Sequence, residues 1–166
     1  MSESYDFRHT GRFTVGALGE PGRRVFYFQA FADGTEVAVK CEKQQAIALA
    51  EHLVTLLSDL PGTIDPGPHP PAEALPPGEL AWTVGSISLG VDRDAGRILV
   101  ELEEFVEVDE DADELPDGAR LRVRLSADQV QGYAAQIAHL VAESRPLCRL
   151  CERPIDPSGH ACPRLN

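Results

Sequence analysis

Four side chains that ligate soft and borderline metals fall within fifteen positions of this 166-residue chain: Cys148, Cys151, His160 and Cys162, in the run C-R-L-C-E-R-P-I-D-P-S-G-H-A-C-P. Three thiolates and one imidazole make a donor set for tetrahedral zinc, and a C-x₂-C knuckle, a loop and an H-x-C return give the ligands separate arms. His160 and Cys162, two apart, project to the same side of an extended segment and so reach one ion. Four protein donors fill a tetrahedral shell and leave no place for a catalytic water, so the expected ion is a structural Zn²⁺. Cys148 and Cys151 alone also spell the C-x-x-C of a redox pair. That motif opens a helix after a strand, whereas here it stands in a proline-rich segment without helical pattern. Arg145, Arg149, Arg153 and Arg164 surround the cluster, against Glu152 and Asp156. These arginines are expected to offset thiolate charge or dock on acidic parts of the body; phosphate or RNA contact is the alternative.

The tail (residues 144–166) must be carried by the preceding residues, whose pattern runs twice. Phe13-Thr14-Val15-Gly16-Ala17 parallels Trp82-Thr83-Val84-Gly85-Ser86. Gly22-Arg23 opens one apolar run and Gly96-Arg97 another. Alternating segments follow, E-V-A-V-K-C (36–41) and R-L-R-V-R-L (120–125). Each half closes on an amphipathic helix: Ala46, Leu49, Ala50, Leu53, Leu56 and Leu57 share one face, and Val130, Tyr133, Ala134, Ile137, Leu140 and Val141 another. Ser126 and Gln129 form a capping box; Glu42 and Gln45 hold the matching places, with Glu the poorer cap. The pattern predicts an α+β fold of duplicated βββα units, residues 1–60 and 80–143. Their strands are expected in one antiparallel sheet with both helices on its apolar face and a single shared core, since one unit buries too little alone.

Residues 61–79 hold seven of the thirteen prolines, which excludes an interior strand or helix and predicts an extended, semi-rigid connector. A polyproline ligand for a partner groove is the alternative. Residues 101–117 hold ten acidic side chains and no Lys or Arg. Asp109, Asp111 and Asp113 alternate as in a calcium loop, but the required glycine is missing and Arg120 stands where the closing glutamate belongs. A solvated hairpin is expected instead, with Arg120, Arg122 and Arg124 of the return strand near Glu101, Glu103 and Glu104.

No catalytic signature appears: no G-x-S-x-G, P-loop, H-E-x-x-H or dinucleotide-binding glycine pattern. His9, His52, His69 and His139 are scattered and read as ordinary surface or partly buried histidines, and Cys41 as a small core hydrophobe. Gly16 and Gly85, single glycines in strand patterns, read as bulges. Apolar residues make up 43 % of the chain, enough for a core, and the net charge is −12. That charge disfavours nucleic acid and anionic membranes. No apolar run spans a bilayer, and the first residues lack the pattern of a secretory signal. Three clustered cysteines fit a thiolate site in a reducing compartment, so a cytoplasmic location is expected.

The T-V-G repeat, the proline-rich centre and the ending C-R-L-C-E-R-P-I-D-P-S-G-H-A-C-P-R-L-N resemble an uncharacterised family of small proteins from high-GC Gram-positive bacteria. The resemblance spans the chain and implies a cytoplasmic bacterial protein; it implies no activity and no catalytic residue. The residues themselves favour a non-enzymatic binding or adaptor protein whose partner is another protein, contacted through the acidic hairpin, the connector or the basic tail. The rival is an enzyme or small-ligand binder using the cleft between the two halves, with Arg23 and Arg97 as the matched pair of anion ligands.

Overall fold

The computed structural model describes residues 2–20, 22–62, 65, 67–143, 148–153, 155 and 159–165. The chain opens with a short strand, β1 (Tyr5–Phe7). Then β2 (Arg12–Leu18), β3 (Val25–Ala32), β4 (Thr35–Cys41) and helix α1 (Lys43–Leu56) follow. After the proline-rich segment come β5 (Val84–Asp92), β6 (Arg97–Glu104), β7 (Arg120–Leu125) and helix α2 (Ala127–Glu143). Four strands thus precede α1 in the first half, and three precede α2 in the second.

The strands do not form the one antiparallel sheet expected. They form two sheets, β2-β3-β4 and β1-β7-β6-β5, and β1 lies parallel to β7, with Tyr5 opposite Leu121 and Phe7 opposite Val123. The first strand of the chain therefore completes the sheet of the second half. The two sheets are stitched where residues 81–83 pass beside β4: Ala81 N–H donates to Ala38 O at 2.8 Å and Lys40 N–H to Trp82 O at 2.8 Å. Pairing with β4 ends there because the register of β5 against β6 slips between Val84 and Ser86, and a bulge bends and twists its strand away. Gly85 occupies this bulge, as expected. A Cβ there would sit 2.8 Å from the Phe105 Cα.

Both sheets feed one core, as anticipated. Phe13, Val15 and Phe28 of the first sheet, Ile98, Val100, Leu121 and Val123 of the second, and Leu49, Leu53, Tyr133 and Ile137 of the helices belong to a single buried cluster. Tyr133 ties it together: its ring lies 5.4 Å from that of Phe13, and its hydroxyl donates to Ala46 O of α1 at 2.7 Å. A buried phenol needs such an acceptor. The N-terminal glutamines act twice. Gln129 Oε1 accepts from Ser126 N–H at 2.9 Å while its Nε2 donates to Thr10 O at 2.8 Å. Gln45 Oε1 accepts from Glu42 N–H at 2.9 Å while its Nε2 reaches Val84 O at 3.4 Å. Each ties its helix to the other half of the chain.

The connector has no helix or strand among its described residues, as expected, but it is not a free spacer. It lies as a strap over the outer face of β2-β3-β4. Gln29, fully buried, accepts from Leu75 N–H through Oε1 at 2.9 Å and donates to Leu75 O through Nε2 at 3.1 Å, so one side-chain amide pairs with the backbone as a strand neighbour would. Tyr27 Oη adds a bond to Leu75 O at 2.8 Å, Thr14 Oγ1 donates to Ala72 O, and Ala72 N–H donates to Gly132 O of α2 at 3.0 Å. Gly16, expected at a bulge, is in regular register opposite Tyr27. Its lack of a side chain has another cause: a Cβ would stand 2.3 Å from the Tyr27 ring and 2.8 Å from Ala74 Cβ.

The second sheet is faced with charge instead. Glu101 opposes Arg122 and Glu103 opposes Arg120 across β6 and β7, and both pairs form ion pairs. Arg124, opposite Leu99 of β6, turns to the other side and pairs with Asp6 of β1 at 2.6 Å. The acidic run leaves β6 after Glu104 and crosses as a loop with Phe105, Val108 and Leu115 exposed.

Candidate metal centre

Among its described residues the tail has no helix or strand with which to bury its sulfurs, yet Cys148 and Cys162 are buried. Local backbone bonds fold it. Glu152 N–H donates to Cys148 O at 2.9 Å and Cys148 N–H to Arg153 O at 2.8 Å, closing the C-x₂-C segment into a knuckle. Closure forces Glu152 to φ +59°, a left-handed conformation that non-glycine residues rarely adopt. Gly159 takes φ +96° ahead of the return to His160 and Cys162, a turn that suits only glycine well. Leu165 N–H donates to Cys162 O at 3.1 Å and ends the motif.

The four donor atoms, one each from Cys148, Cys151, His160 and Cys162, all lie within 4.8 Å of one another. Cys148 Sγ is 3.8 Å from Cys162 Sγ, and Cys151 Sγ is 3.8 Å from His160 Nε2. An ion of zinc type with Zn–S near 2.3 Å and Zn–N near 2.0–2.1 Å puts tetrahedral neighbours about 3.8 Å apart for two sulfurs and about 3.6 Å for sulfur and nitrogen. The observed edges match that spacing and are far longer than a disulfide bond; all four cysteines of the chain are free thiols. The residues present therefore fit a tetrahedral ion with soft donors.

The electrostatics point the same way. The amide N–H groups of Cys151 and Leu150 hydrogen-bond the Cys148 sulfur and, with His160, hold its thiol down at about 6. The thiolate, the form that binds metal, is thus favoured before any ion arrives. Burial pushes Cys162 up, and the neighbouring sulfurs add to this, while the Arg164 N–H opposes it. Two adjacent thiolates repel, which a bound cation relieves. Cys41 differs entirely: burial in the core pushes its thiol up to about 12, so it stays neutral and packs as the small hydrophobe expected.

Among the described residues no other group of His, Cys, Asp and Glu converges in this way, so Asp109, Asp111 and Asp113 make no calcium-like site. Arg149, Arg153 and Arg164 are exposed and have no ion pair with the acidic loop; Arg145 and Asp156 lie outside the described residues. His52 Nδ1 is 2.7 Å from Ala48 O, His69 Nε2 3.2 Å from Asp65 O, and His139 3.1 Å from Glu143, while His9 is exposed. Arg23 and Arg97 are both exposed, and Arg97 spends Nη1 on the Ala95 and Gly96 carbonyls of its own turn. Sequence reasoning overlooked Gln29, Thr14 and Arg12. The first had a visible signal, a lone amide inside the apolar run V-F-Y-F-Q-A-F.

These features define an α+β protein of two sheets and two helices with a Cys₃His cluster able to hold a metal ion. The chain belongs to the family described as "Protein of unknown function (DUF3090)", which matches residues 5–162 and so takes in the body, the strap and all four cluster residues. No curated protein and no solved structure is significantly similar to it. Among the described residues no helix is long and apolar enough to cross a membrane.

Proposed function

We propose that the chain is a small zinc-binding adaptor: a non-enzymatic module whose tail is closed by one structural Zn²⁺ on Cys148, Cys151, His160 and Cys162, and whose surfaces dock another protein. The observation that carries the metal reading is the pair of 3.8 Å edges between four donors that share no other covalent or core constraint. A bound zinc would supply the link that apolar burial cannot provide over so short a segment, and four protein donors leave it no open position for chemistry. Three thiolate ligands need a reducing compartment, which favours a cytoplasmic location. The repeated order β-β-β-α and the equivalent use of Gln45 and Gln129 support descent from a duplicated βββα unit.

The adaptor reading rests on the loop of residues 105–119, where acidic side chains alternate with exposed Phe105, Val108 and Leu115. The seven acidic side chains of this loop repel one another, and a basic partner lowers that energy while covering the apolar groups. An affinity capture from native lysate tests it. Deleting residues 107–114 should abolish recovery of a specific partner while the body stays folded. Equal recovery with and without the loop would contradict the assignment of that surface.

A further inference from the structure

Strand β2 alternates between two environments. Phe13 and Val15 enter the core, and Arg12, Thr14 and Gly16 face the strap. Thr14 and Gly16 are sealed, by Ala72 O and by the Tyr27 ring with Ala74. Arg12 is not. Upstream of Ala72 the strap runs through Pro71, Pro70 and His69 and stands off from the start of β2, leaving a cleft of about 480 Å³ whose third wall is the first turn of α2. Its surface is mostly apolar, with few polar groups, the composition and size common to small-molecule sites.

Arg12 is the anomaly in that cleft. Its Nε is buried without a hydrogen-bond partner. Four arginines among the described residues are half-buried: Arg12, Arg24, Arg122 and Arg124. Three have a carboxylate, Arg24 with Glu143, Arg122 with Glu101 and Arg124 with Asp6, and Arg12 has none. This happens in a chain with twelve more acidic than basic side chains. A buried guanidinium N–H left unpaired is costly, and such groups persist where something else completes them. Asp128 lines the same cleft, yet it forms no ion pair with Arg12. The other polar groups are partly spent: Gln129 on Ser126 and Thr10, and His69 Nε2 beside Asp65 O.

We propose that this cleft is a binding site for a small carboxylate that also carries a hydroxyl or ammonium group. The planar fork of Arg12 takes the carboxylate, a geometry that guanidinium matches with two parallel bonds. Asp128 takes the donor. Inorganic phosphate has no carbon skeleton to lie against the apolar walls of the cleft, so it is the poorer ligand. Pro70 and Pro71 offer a rigid apolar wall for the carbon skeleton. The site lies between the two halves of the chain, where the matched arginines Arg23 and Arg97 were expected; the anion ligand is Arg12 instead.

Calorimetric titration of the full-length protein with L-malate, L-glutamate, succinate and inorganic phosphate tests this directly. L-malate or L-glutamate should bind saturably and more tightly than phosphate. Arg12→Gln should weaken that binding at least about tenfold, and Arg12→Lys, which keeps charge and bulk but loses the fork, should weaken it comparably. Asp128→Asn should weaken the ligands with a donor while leaving succinate unchanged or improved. Circular dichroism of each variant reports that the fold is kept. The proposal is overturned if no carboxylate binds the wild-type protein, if phosphate binds more tightly than every carboxylate, or if Arg12→Lys and Arg12→Gln both bind as the wild type does.

Discussion

The body and the tail of this molecule keep their shapes by different physics. The body has one cluster of fully buried side chains from two sheets and two helices, and long-range bonds such as Tyr133 to Ala46 lock its parts. The tail has no such cluster. Its order rests on a knuckle, two left-handed residues and four convergent donors. The strap stands between these cases. Its described residues form no sheet or helix of their own, and it is held by polar side chains that the sheet buries beneath it, with Gln29 the main one. Burial of apolar area is additive and tolerates repair by neighbours; a four-ligand cluster or a bidentate amide fails when a single atom is changed. The contrast predicts that damage to one region stays in that region.

The largest effect is expected from the core. Leu53→Ala removes a fully buried side chain of α1 and should cost about 2–5 kcal/mol by chemical denaturation, transfer and cavity terms together. The metal content of the tail should not change. Loss of metal in this variant, with the body still folded, would break the proposed independence. Gln29→Leu keeps volume but orphans the Leu75 N–H and leaves Leu75 O to Tyr27 Oη alone. It should cost about 1–3 kcal/mol and, more tellingly, should speed hydrogen exchange at the Leu75 amide far more than at core amides. Equal acceleration everywhere would mean that strap and sheet open together. The smallest effect belongs to the charged face. Arg122→Gln removes the partner of Glu101 on the solvent-facing, half-buried side of the sheet, where ion pairs contribute little. Stability should be nearly unchanged, with a weaker dependence on salt. The same face sets an acid limit. The Arg124 hydrogen bond holds Asp6 below the ordinary carboxylate range, and the Ala119 N–H and Ser2 hydroxyl do so for Glu104. Their stabilisation is full above the ordinary range and is lost as pH falls through these lower values.

Much of this was written locally in the sequence, and what was not depends on distant partners. The capping pair Ser126 and Gln129, the alternation of Ile98, Val100 and Leu102, and the facing of Glu101 by Arg122 follow from neighbours a few residues away or from one hairpin. The four ligands were legible because thiolate and imidazole at knuckle spacing have few other uses. β1 was not: three residues, Tyr5 to Phe7, carry too little alternation to read, and their partner β7 begins more than a hundred positions later. The division into two sheets turns on a bulge at Gly85, which was foreseen without its consequence for pairing with β4. Gly16 was misread because its reason is a Tyr27 ring lying across the strand, and no local rule supplies that. The prolines of the strap announced what it is not, while its docking is written in Thr14, Tyr27 and Gln29 of other strands.

The central claim is that Cys148, Cys151, His160 and Cys162 hold one zinc ion that orders the tail and leaves the body alone. Elemental analysis of protein purified under reducing conditions without added metal, run beside Cys151→Ser, tests it most directly. The account predicts about one zinc per chain, lost in the variant, whose body keeps its denaturation midpoint while the tail becomes open to trypsin after Arg149. Wild-type protein with fully reduced thiols and no bound metal, or a variant that retains its zinc, would contradict it.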